Sequence, residues 1–69
     1  MQITLNNSID RLETKKDSIS VKELLEIKNF TFELLIVRIN GELVKKDFYT
    51  TSLIKESDKV DVIHVFGGG

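Results

Sequence analysis

Apolar and polar residues alternate from the first position. Met1, Ile3 and Leu5 interleave with Gln2, Thr4 and Asn6, the two-residue period of a half-buried strand. Asn6-Asn7-Ser8 is turn chemistry, because short polar side chains bond nearby backbone and tolerate left-handed angles. Residues 9–13 are then predicted to return as a second strand, although their alternation is weak. The sharpest local signal is Ser20-Val21-Lys22-Glu23, which fits a capping box: hydroxyl and carboxylate satisfy backbone donors reciprocally at a helix start. Ile19 before the cap and Leu24 inside the helix fit the accompanying hydrophobic staple. Val21, Leu24 and Leu25 fall on one face at helical spacing with Ile27 on the flank, and the helix should fade near Asn29. Residues 34–39 form an apolar run rich in β-branched side chains, too short for another helix and suited to a central strand. Asn40-Gly41 is a strong two-residue hairpin signal, so Glu42-Leu43-Val44 should return. Residues 45–54 read as irregular, with Phe48 or Tyr49 and Leu53 as anchors into the core. A polar turn, Glu56-Ser57-Asp58-Lys59, precedes a last strand over 60–66, and Gly67-Gly68-Gly69 follows.

Strand, strand, helix, strand, short strand, strand is most economically packed as one mixed sheet with the helix over one face. The first and last strands then become parallel neighbours in the middle. That arrangement is an α+β fold of the β-grasp, ubiquitin-like kind. The expected organisation is a β-grasp domain over residues 1–66 and a flexible glycine tail over 67–69.

Composition narrows the function. Sixty-nine residues make one domain with a thin core, since a chain this short buries only about 60% of its unfolded surface. There is no cysteine, hence no disulfide framework and no thiolate metal site. Ten basic and eleven acidic residues leave a net charge of −1, which argues against electrostatically driven nucleic-acid binding. The basic doublets Lys15-Lys16 and Lys45-Lys46 read as solvated surface beside turns. No run approaches the roughly 20 apolar residues that span a bilayer, so no membrane role is expected, and a soluble cytoplasmic protein is the default.

Conventional active-site chemistry is hard to place. His64 lies between Ile63 and Val65 without the three or four clustered ligands of a zinc site. Thr50, Thr51 and Ser52 offer hydroxyls but no base and orienting group beside them. Asp58 and Asp61 sit in a turn context where exposure would leave their carboxyls unshifted. The expectation is a protein that is not an enzyme, with no metal and no catalytic side chain. The unusual feature is the end of the chain. A triglycine has minimal steric demand and can thread a narrow tunnel in a partner. Its terminal carboxylate is ionised and a poor electrophile at neutral pH, but becomes reactive once converted to a mixed anhydride with AMP.

The stretch Val37-Arg38-Ile39-Asn40-Gly41-Glu42-Leu43-Val44 resembles the valine-x-valine-asparagine-glycine-glutamate-x-valine hairpin of the ThiS family, ubiquitin-like sulfur carriers of thiamine biosynthesis. Asp58-Lys59-Val60-Asp61-Val62-Ile63-His64-Val65-Phe66-Gly67-Gly68-Gly69 resembles that family's closing strand and tail. Met1-Gln2-Ile3 and the helix also fit, so the likeness covers nearly the whole chain. Lys45 departs from it, standing where the family often has proline. The resemblance implies that an E1-like adenylating enzyme activates Gly69 with ATP and magnesium, which the partner binds and this chain does not. A cysteine desulfurase or other persulfide donor then supplies sulfur, and thiazole synthase receives it from a thiocarboxylate on Gly69. Gly67 and Gly68 give that group its reach.

A carrier must also present apolar surface beside its tail. Two-residue periodicity puts Val60 and Val62 toward the helix and Ile63 and Val65 on the opposite face, next to Leu34 and Ile36. Leu34, Ile36, Ile63 and Val65 are therefore the expected partner-docking patch. Two alternatives share fold and tail: a molybdopterin-synthase-type sulfur carrier, although the proline-containing segment often found before that family's glycines is missing, and a ubiquitin-like protein modifier joined through Gly69.

Overall fold

The computed structural model describes residues 1–31 and 35–65. Strands β1 (Gln2–Leu5) and β2 (Ser8–Arg11) form the first hairpin, paired Gln2 to Arg11 through Leu5 to Ser8. Asn6 and Asn7 turn the chain with φ of 50° and 68°, the doubly left-handed geometry that matches strand twist. The returning strand stops at Arg11, yet the Leu12 amide still donates to the Met1 carbonyl at 2.6 Å. Leu12 is buried in the core, whereas Ile9 lies 74% exposed. The weak alternation of this segment reflects that switch.

Strand β3 (Ser18–Ser20) leads directly into helix α1 (Val21–Ile27). The capping box forms as expected: the Glu23 amide donates to Ser20 Oγ at 3.1 Å, and the Ser20 amide donates to Glu23 Oε1 at 3.3 Å. Ile19, Val21 and Leu24 are fully enclosed, while Ile27 on the flank is exposed. The helix ends as Asn29 enters the left-handed region at φ 57°. The Phe30 amide then reaches the Leu25 carbonyl at 2.8 Å and the Asn29 amide the Glu26 carbonyl at 3.1 Å, satisfying last-turn acceptors.

Strands β4 (Leu35–Ile39) and β5 (Glu42–Val44) form the second hairpin around Asn40 and Gly41, at φ 50° and 87°. Next come a 3₁₀ turn at Lys46–Phe48, strand β6 (Leu53–Lys55) and strand β7 (Lys59–His64). The main sheet has the order β2-β1-β7-β4-β5, with β1 and β7 parallel at its centre and α1 on one face. The fold is the β-grasp.

Two expectations for residues 45–54 are corrected. The segment is not simply irregular, because β6 pairs antiparallel with β3, Ser18 to Lys55 through Ser20 to Leu53, as a separate two-stranded sheet. Its core residue is Ile54, at 0% exposure and opposite Ile19, while Leu53 is 52% exposed and anchors nothing. Of the two aromatic candidates, Tyr49 packs partly against the core and Phe48 is exposed.

Candidate functional site at the open sheet face

β7 is the strand from which the chain runs on to its C-terminus, and it is held from both sides. Toward β4 it is paired over five positions, Leu35 to His64 through Ile39 to Val60. Toward β1 the ladder covers only Thr4–Lys59 and Leu5–Val60. There the Asn6 carboxamide takes over: the Val62 amide donates to Asn6 Oδ1 at 2.8 Å, and Asn6 Nδ2 donates to the Val62 carbonyl at 3.1 Å. Asn40 performs the same service at the strand's start, its Oδ1 accepting from the Lys59 amide at 2.9 Å and its Nδ2 donating to Asp58 at 3.1 Å. The two hairpin asparagines thus fix the register of β7, and a shift of one residue would exchange its faces.

With that register, Val60 and Val62 pack into the core with Ile3, Leu5 and Val37. The other face carries Ile63 opposite Ile36, and Asp61 opposite Arg38 with 3.8 Å between Arg38 Nε and Asp61 Oδ2. Ile36, Ile63 and Val65 are 39%, 41% and 36% exposed. Leu34, the fourth member of the expected docking patch, lies outside the described residues, as do Phe66, Gly67, Gly68 and Gly69. Leu43, 62% exposed, sits opposite Arg38 on β5 and so diagonally beside Ile36 on the same face. It was not singled out in the sequence, although alternation around the Asn40-Gly41 turn places it outward.

The other candidates serve the fold. The Ser52 carbonyl accepts from the Val21 amide at 3.0 Å, and Thr51 Oγ1 bonds the Phe48 carbonyl at 3.4 Å. Asp58 accepts from the Lys55 amide at 2.9 Å and shapes the turn before β7. Lys16 pairs with Glu23 at 2.7 Å; that bond and the Ser20 amide hold the Glu23 carboxyl below its ordinary value. Burial pushes the Tyr49 phenol above its ordinary value. Among the described residues, no group of three or more His, Asp or Glu is placed to hold a metal ion, and His64 is half-buried at the end of β7. Nor is any described helix long and apolar enough to cross a membrane.

A five-stranded sheet in the order β2-β1-β7-β4-β5, with its parallel β1–β7 pair and one helix, defines a ubiquitin-like fold. The sequence pattern of the ThiS family matches residues 2–69, and the chain belongs to that family. Its members are small sulfur carrier proteins that work with sulfur-transfer partners. The fold is similar to the crystal structure of the thiamine biosynthesis protein ThiS from Geobacter metallireducens, with a TM-score of 0.84 and 28% identity over the whole of both chains. An NMR solution structure of a thiamine biosynthesis protein from Geobacter metallireducens matches with a TM-score of 0.77 and 26% identity, over 100% of this chain and 88% of that one. The uncharacterized protein ycf40 of Porphyra purpurea is 30% identical over 53 residues, 77% of this chain and 75% of that protein.

Proposed function

We propose that this chain is a sulfur carrier of thiamine biosynthesis whose working group is the carboxylate of Gly69. An E1-like enzyme binds the carrier together with ATP and magnesium. The Gly69 carboxylate attacks the α-phosphorus and expels pyrophosphate, leaving an acyl adenylate. A persulfide sulfur from a cysteine desulfurase or equivalent donor attacks the carbonyl carbon and expels AMP. Reductive cleavage of the resulting acyl disulfide by a thiol leaves the thiocarboxylate, which thiazole synthase consumes. The chain supplies reach and recognition and leaves the catalytic side chains to its partners. Gly67 and Gly68 thread the partner's channel, and Leu34, Ile36, Ile63 and Val65 dock beside it.

The observation that carries this reading is the family match across residues 2–69, which includes the terminal glycines. The exposed Ile36–Ile63 pair next to the end of β7 supports the docking face. Intact mass of the protein isolated from its native host tests it. The expected species is heavier than the unmodified chain by the difference between one sulfur and one oxygen, and iodoacetamide alkylates it although the chain has no cysteine. Chains joined to lysines of other proteins, without any thiocarboxylate, would instead identify a modifier.

A further inference from the structure

At the end of the main sheet where β4 begins and β7 ends, an open groove continues from the apolar face around the edge of β5. Its walls are Leu25 and Phe30 at the helix end, Leu35 and Val44 from the sheet, and Tyr49. All five pack only partly against the core, so each leaves apolar surface facing the groove. Ile36, Leu43 and Val65 line its mouth, joining it to the open face. Two other surface hollows mix charges, with Glu42 and Lys45 in one and Arg38, Lys59 and Asp61 in the other. This groove differs from both. Its described lining holds Lys45 and Lys46 and no acidic residue, in a chain where acids outnumber bases by eleven to ten. Both lysines are exposed, and neither forms an ion pair with a described residue.

We propose that this groove receives an apolar segment of the adenylating enzyme flanked by carboxylates, and that Lys45 and Lys46 draw in and orient those carboxylates. The inference rests on the carrier reading, because it takes the adenylating enzyme as the occupant. Apolar walls supply contact area, while the two lysine charges favour a partner segment of opposite sign and speed encounter more than they add affinity. A lysine ammonium on its flexible stem suits that task, acting as a point charge without demanding a fixed geometry.

The test is stopped-flow association with the cognate adenylating enzyme from the same organism, over a salt series, alongside ATP–pyrophosphate exchange. The proteins are wild type, Lys45→Glu/Lys46→Glu, and a control of equal charge change on other surface, Lys15→Glu/Lys22→Glu. Thermal melts establish that each is folded; these side chains are exposed. The groove variant should associate about tenfold more slowly than the control at low salt. That gap should close near 1 M salt, where screening acts within roughly 3 Å. Half-maximal exchange should need more of the groove variant than of the control, because the substitutions act on encounter. Equal association rates for the two variants would overturn the groove assignment while exchange by wild type leaves the carrier reading standing. No exchange and no association by wild type would overturn both. Self-association of wild type in sedimentation velocity, abolished by Lys45→Glu/Lys46→Glu, would make a second copy the occupant and likewise overturn the proposal.

Discussion

Val62 and Ile63 are neighbours in one strand and nearly the same in chemistry, yet Val62 is 7% exposed and Ile63 41%. The same split runs through β4, where Val37 is fully enclosed and Ile36 is 39% exposed. On the helix side, apolar residues from both hairpins, β3, α1 and β6 fill one core. On the open side Ile36, Ile63, Leu43 and Val65 stay between 36% and 62% exposed, and the Arg38–Asp61 pair lies next to the Ile36–Ile63 pair toward the second hairpin turn. Buried and exposed positions of equal hydrophobicity therefore answer to different demands. The first set is required for the chain to fold, and the second is available to a partner.

Substitutions can break that contrast. The largest effect belongs to the core face. Ile3→Ala, at a position 1% exposed, should cost about 2–5 kcal/mol. Small domains hold only about 0.05–0.15 kcal/mol per residue, so a large share of the total stability should go, and the urea midpoint followed by circular dichroism should fall accordingly. On the open face the order of effects reverses. Ile36→Asp should change stability by no more than about 1 kcal/mol and weaken binding to the adenylating enzyme about tenfold or more, the loss expected for a central apolar contact. Calorimetry gives the affinity. Unchanged binding by a folded Ile36→Asp protein would remove this face from the interface.

A smaller effect sharpens the comparison by touching neither face. Ser20→Ala removes the helix cap and should cost about 1 kcal/mol with partner binding intact. The cap is also where pH acts. The Glu23 carboxyl titrates lower in the folded chain, chiefly through its bond to Lys16 and then the Ser20 amide, than its ordinary value of 4.5. A carboxyl depressed by folding stabilises the fold fully above the unfolded value and loses that contribution as pH falls through the folded one. Glu23→Gln should therefore melt below wild type at neutral pH, with the gap closing as acid takes the solution below about pH 4.5. Melts at pH 7 and pH 3 check the sign.

Much of the fold was legible because it is written in local chemistry. Asn40-Gly41 and Asn6-Asn7 announce their turns, the capping box announces the helix, and those elements leave few ways to arrange one sheet. The β3–β6 pair was not legible. Each strand is three residues long, too short for a period, and the helix and the second hairpin lie between them in sequence. Leu53 and Ile54 look equally fit to be anchors until the pairing of Ile54 with Ile19 decides the phase. The open face was legible from alternation along β4 and β7, with Leu43 overlooked because β5 offers too few residues to show a pattern. The groove was not, since Leu25, Leu35, Val44 and Tyr49 come together only in the folded chain. The Asn6 clip on Val62 likewise joins residues 56 positions apart, and a turn asparagine gives no sign of such a second task.

On the proposed function, sulfur transfer depends on the carboxylate of Gly69 and stability does not. Deletion of Gly69 tests both halves at once. The residue carries no side chain to bury, so thermal melts of the truncated and intact proteins should coincide. The carboxylate of the shortened chain would fall short of the adenylating site by one residue, roughly 3.5 Å along an extended backbone, and reaction needs atoms held within about 3–3.5 Å. ATP–pyrophosphate exchange with the cognate adenylating enzyme should accordingly drop by orders of magnitude. A truncated protein that melts normally and still supports exchange at the wild-type rate would contradict the account, because Gly69 could not then be the reactive terminus.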